Sequence, residues 1–302
     1  MTLPTLDGSP KTASPAGPLR PPGDPGSTLT LSRGPGRLVR IVSAFLATGW
    51  FLLPVAPLAL WAFSNQWSFP AAFPTAWGFD GLDSAIRQGA LPAMGTSFAL
   101  GLIVAAIATP VGAMAARALT FGTVPWPRVV SVALLAPIAL PPFAAVMGLN
   151  VILLRAHVPP AAGLVLVLVV MAIPYTTFTM RVAYGAHDIR YEEEARILGA
   201  SRWSILWRVQ LPLLAPALGR AAFLAFLVGW SDYVVTTVVG GGEVVTLPLV
   251  TASMAAGIGN DAAVAILSLS AILPPLALLA LAGLVGRRPR EHNNTTIRGE
   301  RQ

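Results

Sequence analysis

Six apolar runs, each close to the length of a bilayer crossing, dominate this chain. They lie at approximately 41–63, 92–116, 129–153, 162–183, 217–239 and 263–285. A hydrocarbon core of about 30 Å needs around 20 helical residues at about 1.5 Å each, so each run reads as a transmembrane helix. Composition agrees: 55% of the 302 residues are hydrophobic and 11% charged, where soluble domains carry roughly 25% charged residues. A soluble enzyme is excluded. The expectation is an all-α membrane protein with six spans in a domain at 37–290, flanked by tails at 1–36 and 291–302.

The amino-terminal tail holds Pro4, Pro10, Pro15, Pro18, Pro21, Pro22, Pro25 and Pro35 with few large apolar side chains. It has little to offset the entropy cost of ordering and reads as disordered, either a dispensable extension or an interaction arm. Arg33, Arg37 and Arg40 precede the first run as in a signal peptide. That run is longer than the roughly 7 to 15 apolar residues of a signal sequence, so an uncleaved first span is expected.

A net charge of +7 would ordinarily suggest nucleic acid as a partner. Here the basic residues are scattered between apolar runs, which makes them a topology signal. With the amino terminus inside, eighteen of the twenty basic residues fall on the inner side, and Arg87 and Arg155 are the two outside. Both termini are therefore expected in the cytoplasm of a cell with the chain in its plasma (inner) membrane.

Prolines inside the runs free backbone carbonyls that neighbouring helices or water must satisfy, so these helices belong in a bundle. The cluster Pro137, Pro141 and Pro142 should bend the third span near mid-membrane, as a pathway-lining helix or as a kinked packing helix. Residues 64–90, with Trp67 and Trp77, read as an interfacial loop. Residues 240–261 are too apolar for a solvated loop and too short to cross twice. They read as a partly inserted or surface-lying helix.

The connection at 184–216 is far longer than the roughly 2 to 8 residues usual between bundle helices, and its excess is organised. Asp188 can cap a short helix whose first turns carry Glu192, Glu193 and Glu194, and Glu192 and Arg196 stand at i,i+4. Gly199 supplies a left-handed stop. Ser201 can cap a second helix presenting Trp203, Leu206, Trp207 and Val209, which Pro212 should end. Such a knob with exposed aromatics calls for a soluble partner.

The residues Glu193-Glu194-Ala195, then Gly199, then nine residues, then Val209-Gln210-Leu211-Pro212 resemble the loop of permease subunits of binding-protein-dependent ABC importers. In that family the loop reads Glu-Ala-Ala, three residues, Gly, nine residues, Ile-x-Leu-Pro. The spacing matches throughout; Glu194 stands where the family has alanine and Val209 where it has isoleucine. The resemblance covers about residues 90–290. It implies a type I ABC importer permease fold in which Glu193, Ala195 and Gly199 contact an ATP-binding subunit while Leu211 and Pro212 set the exit into the fifth span, with the two departing positions, Glu194 and Val209, counted among the same coupling residues.

The same resemblance implies two ATP-binding subunits that hold ATP and Mg, a second permease subunit, identical or related, and an extracytoplasmic solute-binding protein. Ser231-Asp232-Tyr233, the glycines at 240–242 and Thr246-Leu247-Pro248 look most like the second permease of polyamine-type (spermidine/putrescine) importers. Relatives of that group also move iron, thiamine and phosphonates.

The chain should hold no cofactor of its own. Its single lysine, Lys11, lies in the tail and no P-loop motif occurs, so ATP must be bound by another chain. There is no cysteine, and His157, His187 and His292 lie in separate segments without triad or metal-cluster spacing, so the chain is not expected to be an enzyme. Asp232 is the one acidic residue placed within a span, and a buried carboxylate there is costly enough to suggest function. With Tyr233 and Pro141 it is the candidate for the substrate pathway, although near the outer interface water or Arg155 could solvate it. A secondary carrier would show several such groups, and a channel would need a filter for which the 240–242 glycines are the sole candidate.

Overall fold

The computed structural model describes residues 36–67, 70–122, 124–188 and 190–286. The readings made for the proline-rich tail before residue 36 and for the basic segment after 286 lie outside the described residues. Helix α1 (Gly36–Leu52) belongs to one compact unit and residues from Leu53 onward to a second. Phe45, Leu46 and Trp50 of α1 are exposed apolar side chains, as suits a helix facing lipid.

In the second unit the helices are α2 (Val55–Ala62), α3 (Asp80–Arg87), α4 (Ala90–Thr120), α5 (Pro127–Ala139), α6 (Pro142–Arg155) and α7 (Pro160–Gly185). They continue with α8 (Arg190–Ile197), α9 (Arg202–Ile205), α10 (Leu211–Trp230), α11 (Val234–Val238), α12 (Leu247–Ala255) and α13 (Asp261–Gly286). By length and composition, α4, α7, the continuous stretch Arg202–Trp230 and Asp261–Ala282 of α13 are each able to cross a membrane. Two helix pairs, Val39–Trp50 with Val55–Ala62 and α5 with α6, pass the same test together, giving six spans if each pair is one.

The centre is a three-helix packing of α4, α7 and α10. Small residues allow it. A methyl group on Gly229 of α10 would stand 2.9 Å from the Cα of Gly101 on α4, so only glycines permit that approach, as at membrane helix crossings generally. Phe98, Phe226 and Trp230 fill the space beside the crossing, with Phe226 and Trp230 stacked at 5.9 Å. The indole Nε1 of Trp230 donates to the Ala271 carbonyl oxygen at 3.0 Å, tying α10 to α13. Ser97 Oγ accepts from the Leu247 amide at 2.8 Å, tying the start of α12 to α4.

Four expectations from the sequence are corrected. The third span is broken: α5 and α6 meet at 102° across Leu140 and Pro141. Pro141 and Pro142 in succession remove two amide donors and push the preceding residue to extended backbone, so the helix stops rather than bends.

The fifth span is not one helix to 239. It ends at Trp230, and α11 begins after Ser231, Asp232 and Tyr233. Residues 64–90 are not simply a loop but hold a small antiparallel ribbon, β1 (Ser64–Gln66) with β2 (Ala76–Trp77), followed by α3. Trp61 and Trp67 stack at 4.7 Å beside it. Finally, Pro212 ends no helix. A π-helical turn at Leu206–Gln210 leads straight into α10 with Pro212 in its first turn, where the wide turn accommodates the missing amide donor.

Candidate functional site: the α8–α9 knob and the cavity beside α11

Helix α8 starts where the Asp188 carboxylate accepts from the Arg190 amide at 3.0 Å. It stops at Gly199, whose φ of +82° lies in the left-handed region. The Gly199 amide bonds back to the Arg196 carbonyl and the Ala200 amide to that of Ala195, both at 2.9 Å. This pair of reversed bonds is the Schellman closure. Two residues on, Ser201 Oγ caps α9 by accepting from the Ser204 amide at 3.2 Å.

The elbow so formed presents Ile197 (85% exposed), Leu198 (86%), Trp203 (68%) and Trp207 (56%) to the outside. The two tryptophans meet edge to face at 5.7 Å. Glu193, Glu194 and Gly199 are exposed on the same knob, Ala195 is half-buried, and Val209 and Leu211 are half-buried at the π turn and the start of α10, beside exposed Pro212.

Glu192 does not pair with Arg196 as its spacing suggests. It is fully buried and faces Arg117 in the last turn of α4, which donates from Nη2 to Oε2 at 2.7 Å and from Nη1 to Oε1 at 3.2 Å. His187 Nε2 lies 3.5 Å from Oε1, and the side chain of Gln210 in the π turn faces the same carboxylate. Burial alone would raise the Glu192 carboxyl. The Arg117 guanidinium, assisted by Gln210 and His187, outweighs burial and holds it below the ordinary carboxylate value. Arg117 also lies 5.6 Å over the Phe121 ring, and Phe121 meets Tyr184 of α7 edge to face at 5.9 Å. Sequence reasoning counted Arg117 only as a topology marker and Glu192 only as a surface helix charge.

At the other end of the bundle, a cavity of about 650 Å³ opens between α10, α12 and α13, lined among others by Trp230, Tyr233, Thr251, Ser268 and Ile272. Tyr233 is on that wall. Asp232 is not. Its Oδ1 accepts from the Val235 amide at 3.3 Å and its Oδ2 from the Thr236 amide at 2.8 Å and the Thr236 hydroxyl at 3.1 Å. It makes no ion pair with Arg155; among the described residues the ion pairs are those of Glu192. Pro141 stands exposed at the α5–α6 break. No group of histidines and carboxylates able to hold a metal occurs among the described residues.

The chain is thus an apolar helical bundle with a closed two-helix elbow at one end and a cavity at the other. The fold matches that of a bacterial ABC transporter involved in the import of the acidic polysaccharide alginate, with a TM-score of 0.58 over 84% of this chain and 98% of that one, at 17% identity. Residues 108–291 match the model of the family described as binding-protein-dependent transport system inner membrane component, and the chain belongs to that family, as a multi-pass membrane protein.

Among curated proteins it is 34% identical over 126 residues to the spermidine/putrescine transport system permease protein PotC of Haemophilus influenzae, covering 42% of this chain and 49% of that one. It is 30% identical over 132 residues to the molybdenum transport system permease protein ModB of Escherichia coli, covering 43% and 58%. The chain thus spans about half the length of the curated relatives it matches. These relatives are transport permeases and not enzymes.

Proposed function

We propose that this chain is the transmembrane permease subunit of an ABC importer, translocating a small solute handed over by an extracytoplasmic binding protein. Two ATP-binding subunits hold ATP and Mg and dock on the α8–α9 knob. Their closure on ATP moves the knob, and the bundle opens its cavity outward; hydrolysis resets it. A second permease subunit, identical or related, completes the pathway. Both termini lie in the cytoplasm.

The observation that carries this reading is the knob itself. Four large apolar side chains project from a rigid, doubly capped elbow, and mixed charges at Glu193, Glu194, Arg196 and Arg202 surround them. That combination suits a protein groove better than lipid. Glu193, Glu194, Ala195 and Gly199 form the contact, with Val209, Leu211 and Pro212 joining it to α10. Tyr233 and the cavity it lines are the solute's route, and Pro141 shapes the broken helix whose second half, α6, packs against α11. The cavity wall carries no charged side chain, so selection between cargo as different as the polyamine and molybdenum named for the relatives rests with the binding protein.

Affinity purification from membranes in mild detergent, with mass spectrometry of the co-purifying chains, tests the assembly. An ATP-binding subunit and a second permease are expected; a chain that purifies alone and conducts solute without either contradicts it. Reporter fusions at both ends should read cytoplasmic.

A further inference from the structure

We propose that Arg117 is a positioning residue for coupling: its pair with Glu192 is the strut that passes movement of the knob to the transmembrane core. This rests on the reading of the knob as an ATPase dock. Helix α8 has only eight residues and joins the bundle through short turns at both ends. A push on Leu198 would flex those turns before it moved α4 or α7, and Trp203 reaches only α10, through the stretch that runs continuously from Arg202 to Trp230. A rigid cross-link bypasses them, and the structure has one.

Glu192 is the buried member of the acidic triplet, and its two hydrogen bonds go to a guanidinium 75 residues upstream. Such a forked pair fixes orientation as well as distance. On the bundle side the guanidinium is held over Phe121, which rests on Tyr184, so α4 and α7 share the anchor. From Arg117, α4 runs back 27 residues to Ala90, beside α3 and the start of α12. Gln210 brings the π turn, and hence α10, to the same carboxylate. One point therefore connects the knob to all three central helices. As a stabilising device a buried ion pair is poor, since apolar residues of similar volume often do as well; its value here is a fixed geometry.

The test uses the complete complex with its ATP-binding subunits in lipid nanodiscs. The chain has no cysteine, so Thr251→Cys places a unique thiol of this chain on the cavity wall. Its rate of modification by a charged methanethiosulfonate reagent is compared with and without ATP and vanadate, alongside ATP hydrolysis. With Arg117 intact, ATP is expected to change the labelling rate. In Arg117→Met, hydrolysis persists and the ATP-dependent change in labelling is lost. Arg117→Lys, which retains the charge without the fork, gives a reduced change.

An unaltered ATP response in Arg117→Met overturns the strut. Loss of hydrolysis together with the response in both variants also overturns it, because the pair then merely holds the knob's docking shape. Absence of any hydrolysis or ATP response with Arg117 intact contradicts the parent reading instead.

Discussion

Gly112 of α4 lies so close to Thr176 of α7 that a single methyl group on the glycine would fall inside the van der Waals shell of the Thr176 hydroxyl. That hydroxyl is itself engaged, donating to the Ala108 carbonyl oxygen at 3.0 Å across the helix pair. Gly112→Ala should therefore destabilise the bundle even though alanine favours a helix by about 1 kcal/mol. Overpacking costs about 1–3 kcal/mol, and the hydrogen bond to Ala108 is lost with it. Gly219→Ala, where the added methyl meets nothing, should be neutral or stabilising. Thermal unfolding of both variants in detergent checks the contrast.

Gly199→Ala addresses the elbow. The space around its Cβ is empty, so the only penalty is the left-handed backbone at φ +82°, worth about 1–2 kcal/mol for a residue with a side chain. The bundle should keep its unfolding temperature while the recovery of co-purifying ATP-binding subunit falls. Gly199→Asn, which tolerates that backbone, should fall less. Equal recovery for all three forms would remove Gly199 from the docking contact.

Acid should weaken the same region through Glu192. Its carboxyl is held below the ordinary 4.5, so the pair with Arg117 contributes in full above that value and is lost as pH falls through the lowered folded value. Arg117, His187 and Tyr184 are the titratable groups that face it or its partner guanidinium. The stability advantage of the unmodified chain over Glu192→Gln should be largest near neutrality and close below pH 4.5, read by thermal unfolding in detergent across pH.

Asp232 separates two roles by substitution. If its oxygens serve as the cap of α11, Asp232→Asn retains an acceptor and should leave ATP-driven gating near its unmodified level. Asp232→Ala should lose about 1 kcal/mol of local stability and gating with it. If the negative charge attracts a cationic solute, the asparagine variant suffers as much as the alanine. Labelling at the cavity wall and uptake of spermidine into vesicles, measured together, distinguish the two.

What the sequence disclosed about the knob is local chemistry. Asp188, Gly199 and Ser201 cap, stop and restart helices within a few residues of themselves, so their roles can be read without knowing what surrounds them. Glu192 could not be read that way. Its burial depends on Arg117, 75 residues earlier, and its spacing to Arg196 offers an equally sound surface pair. Pro212 misleads for a related reason: the π turn that lets the helix run through it has no signature in residue type. The end of α10 at Trp230 is likewise unmarked by proline or glycine at that point and follows from Asp232 preferring its own downstream amides. Adjacent Pro141 and Pro142 mark where the third span departs from a straight helix, but the sequence suggests a bend there and not a stop with the two halves at 102°.

The most direct test of the account is to place a photo-crosslinking amino acid at Leu198, the most exposed apolar residue of the elbow at 86%, and irradiate intact membranes. The dominant product should be a covalent adduct with a soluble ATP-binding subunit, identified by mass spectrometry and diminished in Gly199→Asp. Adducts only with lipid or with another copy of this chain would contradict the docking role on which the importer reading stands.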